Sequence, residues 1–502
     1  MASIKANIVA NYVGKGVAAL TSLLFVPVYI HYLGIEAYGL VGFYVLLQSL
    51  FGILDFGLSP TLNRELARLS IRPDSAQQAR DLVRTLESIY WSIGAVIGMA
   101  IVAGSGVIAR RWVKVETLSN PTVRTSLIII GIVIALQWPF SFYEGGLIGL
   151  QRMVLYNGLQ SVLQIVRAVG AVAVLRFISP TVITFFVWQA VVSAAGAAAA
   201  AIVLWRSLPP GGNPRFSLSA LSGVWRFAAG LTLLSAVTLA LTQADKIVLS
   251  RKLTLSGFGY YNLAFLVGSA LYYLIHPVYG AIFPRLSQHV AAGDEVALAR
   301  TYHAGCQLMT VVTAPAALML IAFAPEIMLL WTRNAVTAQN TAVLVRIVTL
   351  GTLLNGFLNV PYALQLAHGW TSLALYVNCI ALVAEIPILL FAAQRFGAIG
   401  AASVWLGLNC VYFLVAVNFM YRRLLRTERW RWYLSDVAVP LAAAGLVVAA
   451  ARLFLPPLPA LGMLPALLTI GGLAQAAAVT AAPESRAALL ELRSSLQRRF
   501  AP

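Results

Sequence analysis

The sequence predicts an all-α polytopic membrane protein. About fourteen transmembrane helices would form two pseudo-symmetric six-helix lobes around a central cavity, with a peripheral C-terminal helix pair. Three observations predict this class. The chain has 502 residues, of which 60% are hydrophobic. Only 10% are charged, 35 Lys and Arg against 17 Asp and Glu, where a soluble domain carries about a quarter. The apolar runs last about twenty residues, the length of a spanning helix, rather than the roughly ten alternating residues of a barrel strand. Together they exclude a soluble enzyme, a disordered chain and a disulfide scaffold.

The first six spans run roughly 10–30, 38–60, 87–109, 125–146, 156–177 and 181–204, making an N-terminal lobe over 1–204. The segment 205–224, with Pro209, Pro210, Gly211 and Gly212, reads as a cytoplasmic linker because Pro and Gly interrupt helices. Spans seven to twelve run roughly 225–249, 259–283, 304–324, 341–366, 372–393 and 399–420, a C-terminal lobe over 225–421. Two further spans, 434–455 and 460–480, and a basic tail occupy 422–502. The spans of this pair carry almost no buried charge, which suits a peripheral position. A short repeat relates the lobes. Leu33–Leu40 and Leu253–Tyr260 share an aromatic–Gly step at an offset of 220 residues, which also maps span one onto seven and two onto eight.

Charge orients the map. With both termini cytoplasmic, inside segments hold 21 cations and outside segments ten, as the positive-inside bias requires. The basic stretch 110–124 opposes it. The net charge of +18 is therefore assigned to loops and not to nucleic acid, since no basic run interleaved with stacking aromatics occurs on a soluble domain. Cys306, Cys379 and Cys410 lie within apolar runs and show neither metal nor disulfide spacing.

Polar side chains inside a membrane are costly and usually face a cavity or one another. At helical spacing they fall into stripes: Asn11 and Lys15 in span one; Tyr44, Gln48, Asp55 and Ser59 in span two; Asn157, Gln160, Gln164 and Arg167 in span five. The second lobe repeats the pattern with Asp245, Asn262, His276, Arg346 and Glu385. Small hydroxyl residues in such stripes also serve helix packing. The buried cations favour a water-filled cavity, although Lys15 and Asp55 also suit a structural ion pair. Lys246, beside Asp245, is placed to snorkel to the interface, and His276 also suits a packing role. A mixed but cation-bearing cavity suits an anionic, hydroxyl-rich cargo, with cations holding phosphate. Neither a Walker A sequence nor a metal-ligand cluster is present, so no catalytic or metal residue is assigned, and no cofactor.

Several stretches resemble a known family: NYVGKGVAALTSLLFVPVYIHYLGIEAYGLVGFYVLLQSLFGILDFGLSPTLNRELAR at Asn11–Arg68, EGGLIGLQRMVLYNGLQSVLQIVRAVGAVAVL at 144–175, QADKIVLSRKLTLSGFGYYNLAF at 243–265 and PVYGAIFPRLSQ at 277–288. They are similar to the O-antigen (Wzx-type) polysaccharide flippases of the multidrug/oligosaccharidyl-lipid/polysaccharide exporter superfamily. The resemblance covers at least 1–420, and the extra C-terminal pair resembles the lipid II flippase branch. It implies a bacterial inner-membrane protein that flips undecaprenyl-pyrophosphate-linked oligosaccharide outward by alternating access, alongside a polysaccharide polymerase and glycosyltransferases. Coupling to proton, sodium or membrane potential is left open. By the same resemblance Lys15, Asp55 and Arg167 are the cavity residues to test first. Gln48, Gln164, Asn11, Asn262, His276 and Arg346 are further candidates to contact cargo, and Asp245, Lys246 and Glu385 are candidates for coupling or gating. A drug/cation antiporter would prefer an acidic cavity. A membrane glycan polymerase or ligase would be expected to need a long acidic outer loop, which the sequence lacks.

Overall fold

The computed structural model describes residues 4–70, 75–217, 225–455 and 460–486; within its helices the side chains at 4–13, 15, 18, 225–238 and 460–461 fall outside that description. The chain divides into two compact units, Met1–Gly259 and Tyr260–Pro502.

The first unit holds α1 (Ile4–Leu33), α2 (Ile35–Phe51), α3 (Leu58–Leu69), α4 (Ala76–Val107), α5 (Asn120–Gly149), α6 (Met153–Phe177), α7 (Val182–Ser207), α8 (Trp225–Lys252) and the start of α9 (Leu255–Ser269). Within it α4 lies against α5, α5 against α7 and α1 against α6. Small residues permit the approach. A Cβ on Gly98 of α4 would stand 2.8 Å from the Ala135 Cβ and 3.0 Å from the Gly131 carbonyl oxygen of α5. Lipid gives no hydrophobic drive between helices, so such close van der Waals contact has to hold them.

The repeated glycines meet. A Cβ on Gly39 would lie 2.0 Å from the Leu255 carbonyl oxygen, and one on Gly259 would lie 2.5 Å from the Ile35 carbonyl oxygen. The two copies of the aromatic–Gly step thus pack reciprocally.

Expected span two is broken. α2 stops at Phe51, a 3-10 turn covers Gly52–Asp55, and Phe56 and Gly57 have φ of 48° and 68° before α3 begins. The Asp55 carboxylate accepts the Tyr90 hydroxyl and, at 3.4 Å, the Ser59 N–H. An Asp side chain that competes for backbone N–H groups in this way favours a turn over a continuous helix.

The basic stretch 110–124 also has a local explanation. The Lys114 ammonium donates to the Lys252 carbonyl at 2.9 Å, and Arg110 Nε donates to Gly106 at 3.2 Å. The first satisfies a carbonyl left over at the end of α8. The Glu36 carboxylate pins the same loop, accepting the N–H groups of Glu116, Thr117 and Leu118 at 2.6, 2.9 and 3.1 Å and the Thr117 hydroxyl.

After α7 the chain does not hang loose. Residues 209–217 are strapped along α4: Arg80 donates to the Gly212 and Pro209 carbonyls, and the Arg215 N–H donates to Asp81 at 2.7 Å.

The second unit continues α9 into α10 (Tyr272–Ala292), α11 (Glu295–Ala322), α12 (Ala324–Thr332), α13 (Ala335–Ala367), α14 (Ser372–Val411), α15 (Val417–Tyr421), α16 (Val439–Phe454) and α17 (Ala460–Thr480). π-Helical turns cover Tyr412–Ala416 and Trp432–Ala438. α11 is central, packing against α10, α13, α16 and α17. One core gathers Ile275, Tyr302, Met309, Phe357 and Trp432. A second gathers Val311, Met319, Ala444, Ala474 and Ala478, seating the last two helices on α11. The expected span 434–455 carries one buried acidic residue, Asp436, which is 0% exposed.

Among the described residues, eleven helical segments are long and apolar enough to cross a membrane, fewer than the expected fourteen. The expected spans eleven and twelve form one segment, Ser372–Tyr421, whose arms meet at Gly397 (φ 58°, ψ −134°). α1 contributes the shorter apolar stretch Ala19–Leu33, and much of α8 has side chains outside the description.

Candidate functional site

Four helices of the first unit bring polar side chains to one place. α2 supplies Tyr44 and Gln48 one turn apart. α5 supplies Gln137 and, two turns on, Glu144. α6 supplies Gln160, Gln164 and Arg167, and α7 supplies Ser193. Their spacings of three, four and seven residues put each helix's contribution on one face. Except for Tyr44, which stands behind Gln137, these residues line a cavity of about 250 Å³, with Phe140, Leu163 and Gly196 completing its wall.

Arg167 dominates the site electrostatically. A guanidinium only donates, so Gln137 turns its amide oxygen to it and accepts from Nη1 and Nη2 at 2.7 and 3.1 Å. The Ser193 hydroxyl oxygen lies 3.5 Å from Nη2. Arg167 Nε is buried with no hydrogen-bond partner among the described residues. Its contacts are therefore neutral amide and hydroxyl groups, which orient the cation without cancelling its charge. In this orientation the Gln137 amide nitrogen donates to the Tyr44 hydroxyl at 2.7 Å. The Trp188 indole donates to the Arg167 carbonyl at 3.1 Å, fixing the helix that carries the cation. Glu144 stands further along the cavity. The chamber thus has a cationic region rich in amides and a separate carboxylate.

The predicted residues divide into groups. Gln48, Gln164 and Arg167 come together here. Asp55 does not line the cavity, because the break after Phe51 turns it to Tyr90 and Ser59. The side chains of Asn11 and Lys15 lie outside the described residues. Asp245 is half-buried in α8, and beside it the Lys246 ammonium donates to the Thr242 carbonyl and the Gln243 amide oxygen at 3.5 and 3.4 Å.

In the second unit Arg346 Nε donates at 3.0 Å to the Ile321 carbonyl at the end of α11, a helix-capping contact. Asn262 is half-buried, and His276 is exposed and stacked on Tyr272 at 5.5 Å. Glu385, 7% exposed, sits in the wall of a largely apolar groove of about 880 Å³ between the arms of α14.

Sequence reasoning missed Gln137 and Ser193. Gln137 had a signal, a lone amide in an apolar run with Pro139 two residues on. Ser193, in an alanine-rich helix, had none.

A helical bundle of this length, enclosing a polar chamber around a half-buried cation, defines a multi-pass membrane protein of the transporter class. Comparison with known proteins makes this specific. The model of the family described as polysaccharide biosynthesis protein matches residues 4–290, and the MatE model matches residues 231–391. The chain belongs to the polysaccharide biosynthesis protein family, flippases of the multidrug/oligosaccharidyl-lipid/polysaccharide exporter superfamily.

A putative O-antigen transporter of Shigella flexneri is 19% identical over 436 residues, covering 84% of this chain and 98% of that protein. Among solved structures, a lipid II flippase MurJ in an inward closed conformation aligns with a TM-score of 0.70 at 14% identity, covering 95% of this chain and 98% of the other. An inward-facing multidrug resistance MATE transporter aligns at 0.61 and 14% identity, covering 82% and 96%. These likenesses establish the fold.

Proposed function

We propose that the protein carries an undecaprenyl-pyrophosphate-linked oligosaccharide from the inner to the outer leaflet of a bacterial inner membrane by alternating access. Both termini would be cytoplasmic, and a polysaccharide polymerase and glycosyltransferases would act beside it. The observation that carries this reading is the Arg167 guanidinium, held by neutral partners with a buried N–H to spare. A half-buried charge without its counter-charge is costly, and a pyrophosphate supplies what is missing through charge-assisted bonds. The Gln and Ser side chains around it match sugar hydroxyls, which both donate and accept. A cationic drug would meet repulsion at the same place, which weighs against the antiporter alternative.

The test is Arg167→Ala in a strain dependent on this gene for glycan export, at matched membrane levels. One charged hydrogen-bonded contact is worth about 1.5–3 kcal/mol, so export should fall about ten- to a hundred-fold. Arg167→Lys should recover only part, since an ammonium lacks the guanidinium fork. Normal export by Arg167→Ala overturns the site. Rescue of a lipid II-flippase-deficient strain in place of a polysaccharide-deficient one would move the cargo to the peptidoglycan precursor.

A further inference from the structure

A second buried polar network lies in the second unit, on α11. His303 and Gln307, one turn apart, are 0% and 1% exposed. The imidazole stands between two carboxylates: Nδ1 is 2.5 Å from Asp436 Oδ2, and Nε2 is 3.1 Å from Glu428 Oε2. Asp436 accepts Gln307 Nε2 through its other oxygen at 3.0 Å, and the Glu484 N–H donates to the Gln307 amide oxygen at 3.0 Å. Arg431 pairs with Glu484 at 3.0 Å and lies 3.7 Å from Glu428.

On the inner side the network is closed by Tyr302, Cys306 and Trp432, with the Tyr302 and Tyr421 hydroxyls 2.6 Å apart. On the other side Glu428, Arg431 and Glu484 reach a cavity of about 890 Å³ at the start of α11, which Arg300 and Arg423 also line. The titratable and charged groups around the imidazole are therefore Tyr302 and Cys306 on its own helix, Tyr421 on α15, Glu428, Arg431 and Asp436 on the segment leading into α16, and Glu484 after α17.

Counting protons gives this arrangement its meaning. A neutral imidazole donates through one nitrogen and accepts through the other, and an ionised carboxylate only accepts. Each of the two His–carboxylate contacts needs a proton between its heavy atoms, so the trio closes only when it holds two. Remove one, and a nitrogen lone pair faces a carboxylate with nothing between them. That contact then opens and loosens the link from α11 to the segment leading into α16, which keeps the other His303 contact and the Gln307–Asp436 bond. Proton occupancy and helix contact are in this way one variable.

We propose that Glu428, His303 and Asp436 form a proton-binding site that couples a proton gradient to transport. A proton from water in the 890 Å³ cavity passes to the Glu428 carboxylate and on to His303 Nε2. The imidazole releases its Nδ1 proton to Asp436 Oδ2 and is left in its other tautomer; the reverse sequence restores it. Asp436 has no second outlet among the described residues, so discharge to the opposite side of the membrane requires the helices to rearrange. The coupling half of this proposal rests on the flippase reading, whereas the proton site does not.

Two measurements separate them. Proton uptake by the purified full chain in nanodiscs, between about pH 8 and about pH 5, is followed with a pH dye. Asp436→Asn keeps the size and hydrogen-bonding capacity but binds no proton, and His303→Gln removes the relay. Each should lose about one proton per chain while the melting temperature shows that the fold persists. Unchanged uptake in both folded variants overturns the proton site. If one variant fails to fold, the other and Glu428→Gln, whose side chain is 26% exposed, decide. In cells, both variants should lower glycan export at least tenfold at matched levels, and wild-type export should collapse when a protonophore removes the gradient. Lost uptake with normal export overturns the coupling and leaves the flippase standing. Absence of export by the wild type overturns the flippase reading while the uptake result still decides the proton site.

Discussion

Substituting Gly39 and Gly259 by alanine tests whether the repeated motif is a structural joint. Ordinary contact begins at 3.4 Å, whereas a Cβ on Gly39 would stand 2.0 Å from the Leu255 carbonyl oxygen. The backbones must therefore separate by about 1.4 Å, since neither side of that contact is a side chain able to swing away. A Cβ on Gly259 would stand 2.5 Å from the Ile35 carbonyl oxygen, requiring about 0.9 Å by the same reckoning. Overpacking costs about 1–3 kcal/mol and more when backbone must move. At about 2–4 °C per kcal/mol for a domain of 150–250 residues, Gly39→Ala should lower the melting temperature by about 6–12 °C, and Gly259→Ala by less. The two clashes face each other across one interface, so the separation forced by the first already relieves the second. The double variant should melt close to Gly39→Ala alone, a non-additivity expected of residues in contact. Tryptophan fluorescence of the detergent-solubilised protein during heating reads all three. Fully additive losses would refute the reciprocal joint, and unaltered melting of Gly39→Ala would refute the close approach itself.

Two further outcomes follow from contacts already described. Gln137→Glu places a carboxylate 2.7 Å from Arg167 Nη1; export should fall at least tenfold while the melting temperature holds or rises, because the cation gains the counter-charge proposed to come from cargo. Asp81→Ala removes the acceptor of the Arg215 N–H and the Gln77 amide; cleavage within 209–217 by added trypsin should become several-fold faster, as expected when a strap is released into a mobile loop.

Much of this architecture was legible in the chain because membrane solvent imposes a simple rule: runs of about twenty apolar residues must be helices. The Arg167 stripe was readable for a related reason, since a cation in the middle of a span has few tolerable places to be. Hydropathy cannot show where a helix is interrupted by its own side chains. Asp55 breaks span two through bonds to Ser59 and Tyr90, the second of which depends on a helix met more than thirty residues later. Partner choice was equally hidden. His303 and Asp436 are 133 positions apart, and each alone looks like an ordinary polar residue near a helix end. Arg346 shows the opposite failure: depth in a span suggested a cavity, while a nearby helix end offered its carbonyl first.

The reversal at Gly397 has a consequence for the groove beside it. Its φ of 58° with ψ of −134° belongs to a region that only glycine occupies without strain. The two arms of α14 form the walls of that groove, and their splay is set at a single backbone unit. Any residue with a Cβ at 397 would be strained in that conformation, so the opening of the groove depends on this one position staying glycine.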